Sequence, residues 1–234
     1  MTNNYQFAGI CVEVRHIYPY FAQQAKNYVG GEVPEFAIAV TQEDIDLERR
    51  REETEATDGY LESLVIYRKL CEKLIDRDIL LFHSAAIRMD GKAYLFTAPS
   101  GTGKSTHIKL WRKRFGKAVG IINGDKPLIS VTKDEIRAWG TPWDGKEHWS
   151  ANVSAPIAGI CQISRGVENV IRQISPEEAL SQLFTQTYRP ETAEGMRKTV
   201  QLLAEISQRV PFWQLKCNMS TEAAEVSYAA MRGE

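Results

Sequence analysis

The stretch Ala98-Pro99-Ser100-Gly101-Thr102-Gly103-Lys104-Ser105-Thr106 carries residue types suited to holding phosphate. It meets the pattern G-x-x-x-x-G-K-[ST] except at the first position, where Ala98 stands in place of glycine. An apolar run, Ala93 to Thr97, precedes it, and a helix-like run, His107 to Phe115, follows. Strand, glycine-rich loop and helix is the order a phosphate-binding loop requires. Backbone N–H groups of such a loop converge on phosphate oxygens, and the helix N-terminus adds about half a positive charge. On this reading Ser100, Gly101, Thr102, Gly103, Lys104, Ser105 and Thr106 bind nucleotide phosphates. Lys104 reaches the β- and γ-phosphates, and the Ser105 hydroxyl holds Mg²⁺. The bland alternative is a turn that only joins a strand to a helix.

A second candidate is Asp125, in Asn123-Gly124-Asp125-Lys126-Pro127, 20 residues after Ser105. It follows the short apolar run Ala118 to Ile122. A carboxylate at the end of a strand beside the loop is where a Mg²⁺ partner or a general base belongs. Asn-Gly is also a strong turn signal, and Asp125 can serve both roles. A third stretch, Gly140 to Trp149, packs Trp143, Asp144, Lys146, Glu147, His148 and Trp149 into one Gly/Pro-bounded loop. Loops of this kind carry binding more often than packing, so Trp143 and Lys146 are expected to face substrate.

The elements around these residues indicate an α/β protein. Residues 5–17 read as a strand, 19–28 as a short helix and 36–40 as a second strand. Residues 42–56 are crowded with charge, a solvated helix or loop. Tyr60, Leu64, Tyr67, Cys71 and Leu74 recur at helical spacing over 60–75. Leu80 to Met89 reads as one strand, joined through the hairpin turn Asp90-Gly91 to the strand Lys92 to Thr97. An antiparallel hairpin entering the glycine-rich loop argues against a doubly wound fold and for a mixed sheet. Further strands are expected at 128–131, 136–139, 155–163, 170–174 and 211–215, with helices at 176–187, 196–209 and 221–231. Ser175-Pro176-Glu177-Glu178 is a helix start with Ser at the N-cap and Glu at N3. Ser220 is expected to cap the last helix.

Composition bounds the function. The chain has 234 residues, 43% hydrophobic and 25% charged, enough for one large domain or for a small one plus a full one. A net charge of −1 implies no general affinity for nucleic acid or anionic membrane. No apolar run approaches a membrane span, and Met1-Thr2-Asn3-Asn4 does not read as a signal peptide. Cys11, Cys71, Cys161 and Cys217 are far apart in apolar runs and read as buried thiols. A cytoplasmic protein is expected. The basic run Lys109, Arg112, Lys113, Arg114 and Lys117 reads as the solvated face of the helix after the loop.

Phe82-His83-Ser84, then Asp90-Gly91-Lys92, then Ala98 to Thr106, then Asn123-Gly124-Asp125-Lys126 together resemble the catalytic domain of HPr kinase/phosphorylase and its shorter relatives. Those relatives include serine kinases found with modified-peptide gene clusters. The resemblance covers roughly residues 79–175. It implies a mixed sheet around a P-loop, related to the fold of phosphoenolpyruvate carboxykinase. Residues 79–234 would form that catalytic domain and 1–78 a small N-terminal α+β region without a match. On its own His83 reads as a core histidine; the resemblance implies a place beside the reacting groups. Asp125 matches the second acid of the family's Asp-Asp-Arg or Asp-Asp-Lys, and Gly124 stands where the first acid belongs. In the family one of these acids takes the proton from the substrate hydroxyl. Here either Asp125 does both jobs or Glu147 supplies a carboxylate.

The activity so implied is an ATP-dependent, Mg²⁺-requiring kinase acting on a hydroxyl, foremost Ser or Thr of a peptide or small protein. The alternatives are a small-molecule kinase and a nucleotide-binding regulator without turnover, which Gly124 keeps open. The unmatched N-terminal region means that neither HPr itself nor the phosphorylase reaction is implied. Relatives form oligomers, so a homo-oligomer is compatible with the resemblance, although no stretch marks an interface.

Overall fold

In the computed structural model, which describes residues 1–52 and 55–233, the chain folds as a mixed α/β protein. Its N-terminal part opens with two antiparallel strands, β1 (Thr2–Phe7) and β2 (Ile10–Arg15), where the sequence reads as one. The break is the turn Ala8-Gly9, with φ of +51° and +83°. The helix α1 (Pro19–Gln24) and the strand β3 (Phe36–Ala39) follow, β3 lying parallel to β2. The charged run forms α2 (Gln42–Glu52), and its residues Glu53 and Thr54 lie outside the described residues. Its charges are not all solvated. Buried Glu48 accepts from Arg68 Nε at 2.8 Å on α3 (Asp58–Leu74). The apolar stripe of α3 packs with Tyr5, Phe7, Phe21 and Tyr28 in one core. That core runs on across residue 78 to include Ile79, Leu81, Leu128 and Trp143.

The run 80–89 is not one strand. It divides into β4 (Ile79–Leu81) and β5 (Ala85–Met89), which pair with different partners. Asp90 and Gly91, at φ of +52° and +76°, turn the chain from β5 into β6 (Lys92–Thr97) as an antiparallel hairpin. The helix α4 (Lys104–Phe115) leads to β7 (Gly120–Asn123), which pairs with β5. A hairpin of β8 (Leu128–Val131) and β9 (Ile136–Trp139) precedes the 12-residue strand β10 (Ser154–Arg165). β10 lies parallel to β6, and its first residues pair antiparallel with β9. The chain ends with β11 (Val170–Ile174), α5 (Pro176–Gln186), α6 (Ala193–Arg209), β12 (Phe212–Cys217) and α7 (Glu222–Met231). β12 lies between β10, parallel, and β11, antiparallel.

The sheet is thus mixed, with β6 and β10 at its centre. Alternation along the strands divides its side chains between two cores. Leu95, Ile160, Phe212 and Ile174 pack under α5 and α6. Tyr94, Phe96, Cys161 and Leu215 pack under α4 and α7. Ser175 caps α5 with a reciprocal capping box to Glu178. The expectation for Ser220 is corrected: Thr221 occupies the N-cap of α7, without a side-chain cap. Among the described residues no helix is long and apolar enough to cross a membrane.

Candidate active site

β6 is buried from Ala93 to Thr97 and delivers the chain to Ala98 beyond the C-terminal end of this central strand. Among the described residues positive φ outside glycine is confined to Ala8, Asp78, Asp90 and His148. Ala98 therefore has an ordinary backbone, which is why alanine is tolerated there. The left-handed positions are Gly101 and Gly103, at φ of +76° and +128°. Gly103 is the N-cap of α4 and has no side chain to satisfy the helix's first N–H groups. Those donors open outward with the positive end of the helix dipole behind them. Arg165, at the end of β10, donates to the carbonyls of Gly101 (2.8 Å) and Thr102 (3.4 Å) and holds the loop from outside.

Three chain segments converge on Lys104. The link between β4 and β5 is fixed by partners distant in sequence. His83 N–H donates to Gln186 O (2.7 Å), and Ser84 N–H donates to Asp125 O (3.0 Å). Asp125 is set by an Asx turn rather than by a hairpin turn. Buried Asn123 accepts on Oδ1 from the N–H groups of Asp125 (2.8 Å) and Lys126 (2.6 Å). The side chains then meet. His83 Nε2 lies 3.1 Å from Asp125 Oδ1 and 3.2 Å from Lys104 Nζ. Lys104 also donates to Ala98 O (3.0 Å), and Lys126 Nζ lies 2.9 Å from Asp125 Oδ2.

Gln186 Oε1 faces His83 Nδ1 at 3.0 Å, so that nitrogen carries a proton. Nε2 then has two competing partners. A neutral ring accepts there from the Lys104 ammonium; a protonated ring donates there to Asp125. Burial pushes the Asp125 carboxyl up. The hydrogen bond from His83 and the Lys126 ammonium outweigh it and hold the group well below the usual carboxylate range. Burial lowers Lys104, and Asp125 opposes that shift.

Two cavities meet at the glycine-rich loop. One, of about 590 Å³, takes His83, Lys104, Ser105, Asp125, Lys146 and Glu147 in its walls. The other, of about 540 Å³, is bounded by Leu110, Ile163, Arg165, Cys217 and Met219. Every residue from Ser100 to Thr106 lines one or both. Glu147 is tied to Lys109 of α4 at 3.4 Å. Trp143 does not belong with them. It is 5% exposed, lies against Phe7, Phe21 and Tyr67, and donates from Nε1 to Ser63 Oγ at 2.9 Å. The expectation that it faces substrate is corrected: an indole has enough apolar surface to prefer that aromatic core. Trp149 lies beneath the cations Lys109 and Arg112.

Gly124 has no room for a side chain. A Cβ there would meet Asp144 O at 2.9 Å and Trp149 Cβ at 3.3 Å. Its N–H donates to Trp149 O at 2.7 Å, so the 144–149 loop lies on this turn. Gly145, at φ of +73°, would bring a Cβ to 3.0 Å from that of Asp125. Gly124→Asp is therefore expected to act as overpacking, costing about 1–3 kcal/mol and several degrees in Tm by calorimetry. A Tm equal to that of the parent protein would mean that the loop yields freely.

Sequence reasoning missed Lys126 as a partner of Asp125, although the two are adjacent. It also missed Gln186, Asn123 and Arg165. Nothing local marks Gln186, which reaches His83 from the last turn of α5, 103 positions away. His107, just inside α4, is a core residue. Trp111 Nε1 donates to its Nε2 at 3.1 Å, and burial lowers its pKa to about 3, leaving it neutral.

No family model matches the chain, and no curated protein matches it. Among solved structures it is similar to the Hpr(Ser) kinase/phosphatase from Coxiella burnetii, at 9% identity and a TM-score of 0.37. That match covers 65% of this chain and 99% of the other.

Proposed function

We propose that this chain is a kinase that transfers the γ-phosphoryl group of ATP to a hydroxyl, foremost a Ser or Thr of a peptide or small protein. The observation that carries the reading is the meeting of Lys104, His83 and Asp125 in one cavity at the uncapped start of α4. Phosphoryl transfer needs positioned positive charge for the phosphates and a carboxylate for the attacking hydroxyl. Both are present within a few ångströms.

The loop amides and Lys104 would hold the phosphates in the first cavity. The half-apolar second cavity, on the other side of the same loop, suits the nucleoside. Mg²⁺ takes one or two carboxylates together with substrate phosphates, and Ser105 with Asp125 fits that donor set. Such an ion would neutralise charge on the phosphates. Asp125 would orient the incoming hydroxyl. The hydroxyl oxygen bonds to the γ-phosphorus, the bond from that phosphorus to the leaving oxygen of ADP breaks, and the proton passes to Asp125. Lys126 keeps Asp125 ionised beforehand, and Lys104 leaves Ala98 O and His83 for the phosphates.

The test is purified protein with ATP, Mg²⁺ and a Ser/Thr peptide library, read by mass spectrometry for new phosphopeptides. A thermal shift runs beside it. ATP at about a hundred times its dissociation constant adds roughly 2.7 kcal/mol, a Tm rise of about 5 °C or more. A shift and a phosphopeptide together support the reading. A shift without any product would turn it toward a small-molecule kinase or a nucleotide-binding regulator. No shift and no product would overturn it.

A further inference from the structure

The two sheet faces differ where the parallel strands end. On the face covered by α5 and α6, the layer Leu95–Ile160–Phe212–Ile174 is apolar. Two residues further along, the register places Thr97, Gln162, Gln214 and Arg172 side by side on four adjacent strands. Three of them, Gln162, Gln214 and Arg172, form a hydrogen-bonded polar ladder. Gln214 Nε2 donates to Gln162 Oε1 (3.3 Å), and Arg172 Nη2 donates to Gln214 Oε1 (2.6 Å). At its inner end Thr97 Oγ1 donates to His83 O (3.0 Å).

A second polar row faces the ladder from α5. Glu178, Gln182 and Gln186 are spaced i, i+4, i+8 and share one face of the helix. Glu178 meets Arg172 at 3.3 Å, and Gln186 meets His83 at 3.0 Å. Both rows therefore run from His83 to the Arg172–Glu178 pair. Between those ends, Gln182 Oε1 is buried and has no hydrogen-bond partner among the described residues. That atom is closed off from solvent, so it belongs to the packing of α5 on the sheet rather than to an open wall. A cavity of about 450 Å³ opens over the outer part of the ladder, lined by Gln162, Gln214 and Arg172 together with Ser164, Val170 and Lys216. Arg172 is shared with Glu178, whereas among the described residues Lys216 pairs with no carboxylate.

Resting on the kinase reading above, we infer that this groove receives the acceptor as an extended peptide segment, and that Lys216, with Arg172, selects an acidic residue on it. The spacing sets the register. Thr97 to Arg172 crosses three strand intervals, about 14 Å, and an extended chain advances about 3.3 Å per residue. The acidic residue therefore sits about four or five positions from the hydroxyl that lies beside His83 and Asp125. The amide side chains of Gln162 and Gln214 meet the peptide's own N–H and C=O groups, and the cations meet its acid.

The experiment uses the full chain with Ser-centred peptide libraries carrying Glu or Lys at each of about five positions on either side. Transfer from ATP is read for the parent protein and for Lys216→Glu, an exposed position whose folding is checked by Tm. Binding of fluorescein-labelled Glu and Lys peptides is read separately by anisotropy. The parent protein should favour Glu at the fourth or fifth position by about two- to fivefold, the range that partly exposed ion pairs support. Lys216→Glu should move the preference to Lys. Transfer with no positional preference, or with one that Lys216→Glu leaves intact, overturns the groove and leaves the kinase. Charge-dependent binding that reverses in Lys216→Glu, without transfer, supports the groove and overturns the kinase. Neither binding nor transfer overturns both.

Discussion

Asp125→Asn is expected to bind ATP and to lose transfer by about 10²–10⁴-fold, the range that a positioned general base contributes. The substitution keeps shape and removes one charge. The loop amides and Lys104, which would hold the phosphates, are untouched by it, so the thermal shift with ATP should persist. His83 Nε2 loses the carboxylate at 3.1 Å and Lys126 loses its partner at 2.9 Å. The Lys126 ammonium then remains without its anion, which adds a stability effect with its own pH signature. The folded-state pKa of Asp125 is depressed below its unfolded value of about 3.9. Its contribution is therefore fully present above that unfolded value and is lost as pH falls through the folded one. The Tm difference between the parent protein and Asp125→Asn should be constant above about pH 5 and shrink in stronger acid. Single-turnover transfer at neutral pH, with Tm measured from pH 3 to 8, checks both parts. Turnover that survives the change would move the base to Glu147, tested by Glu147→Gln.

Much of this arrangement was legible because local chemistry decides it. Asp90-Gly91 specifies a two-residue turn, and the β5–β6 hairpin follows. Ser175 with Glu178 specifies the start of α5. Gly101, Gly103, Lys104 and Ser105 are read from spacing alone. What was not legible depends on partners far along the chain. The run 80–89 has the composition of one strand. It breaks at His83 because the backbone there bonds to Gln186 and Asp125 instead of to a neighbouring strand. The lone glutamine at 186 carries no local signal of its place beside His83. The Trp-rich loop was misjudged at Trp143 because composition shows that a loop has sticky side chains, not which way each one points. Its neighbours Lys146 and Glu147 line the cavity, while Trp143 turns into the N-terminal core.

That division within one loop makes Trp143→Ala the second large effect. Deleting a buried tryptophan costs about 3–5 kcal/mol, which for a chain of this size lowers Tm by on the order of 10 °C. The side chain removed packs against Phe7, Phe21 and Tyr67 at centroid distances of 5.9, 5.9 and 5.4 Å. Its N–H partner Ser63 sits on α3, so the lost contact joins the N-terminal helix to the loop over Asp125. Trp143→Phe should recover most of the stability, because the ring contacts outweigh one hydrogen bond of about 1 kcal/mol. Calorimetry on both variants checks the order. Were Trp143 a substrate-facing residue, the alanine variant would keep its Tm and lose affinity for the acceptor. As a core residue it should lose Tm first. Any fall in transfer should then track the loosening of residues 144–149, hitting ATP and acceptor use together, since that loop walls the cavity holding Lys104 and Asp125. The N-terminal region would in that case be a structural support of the site.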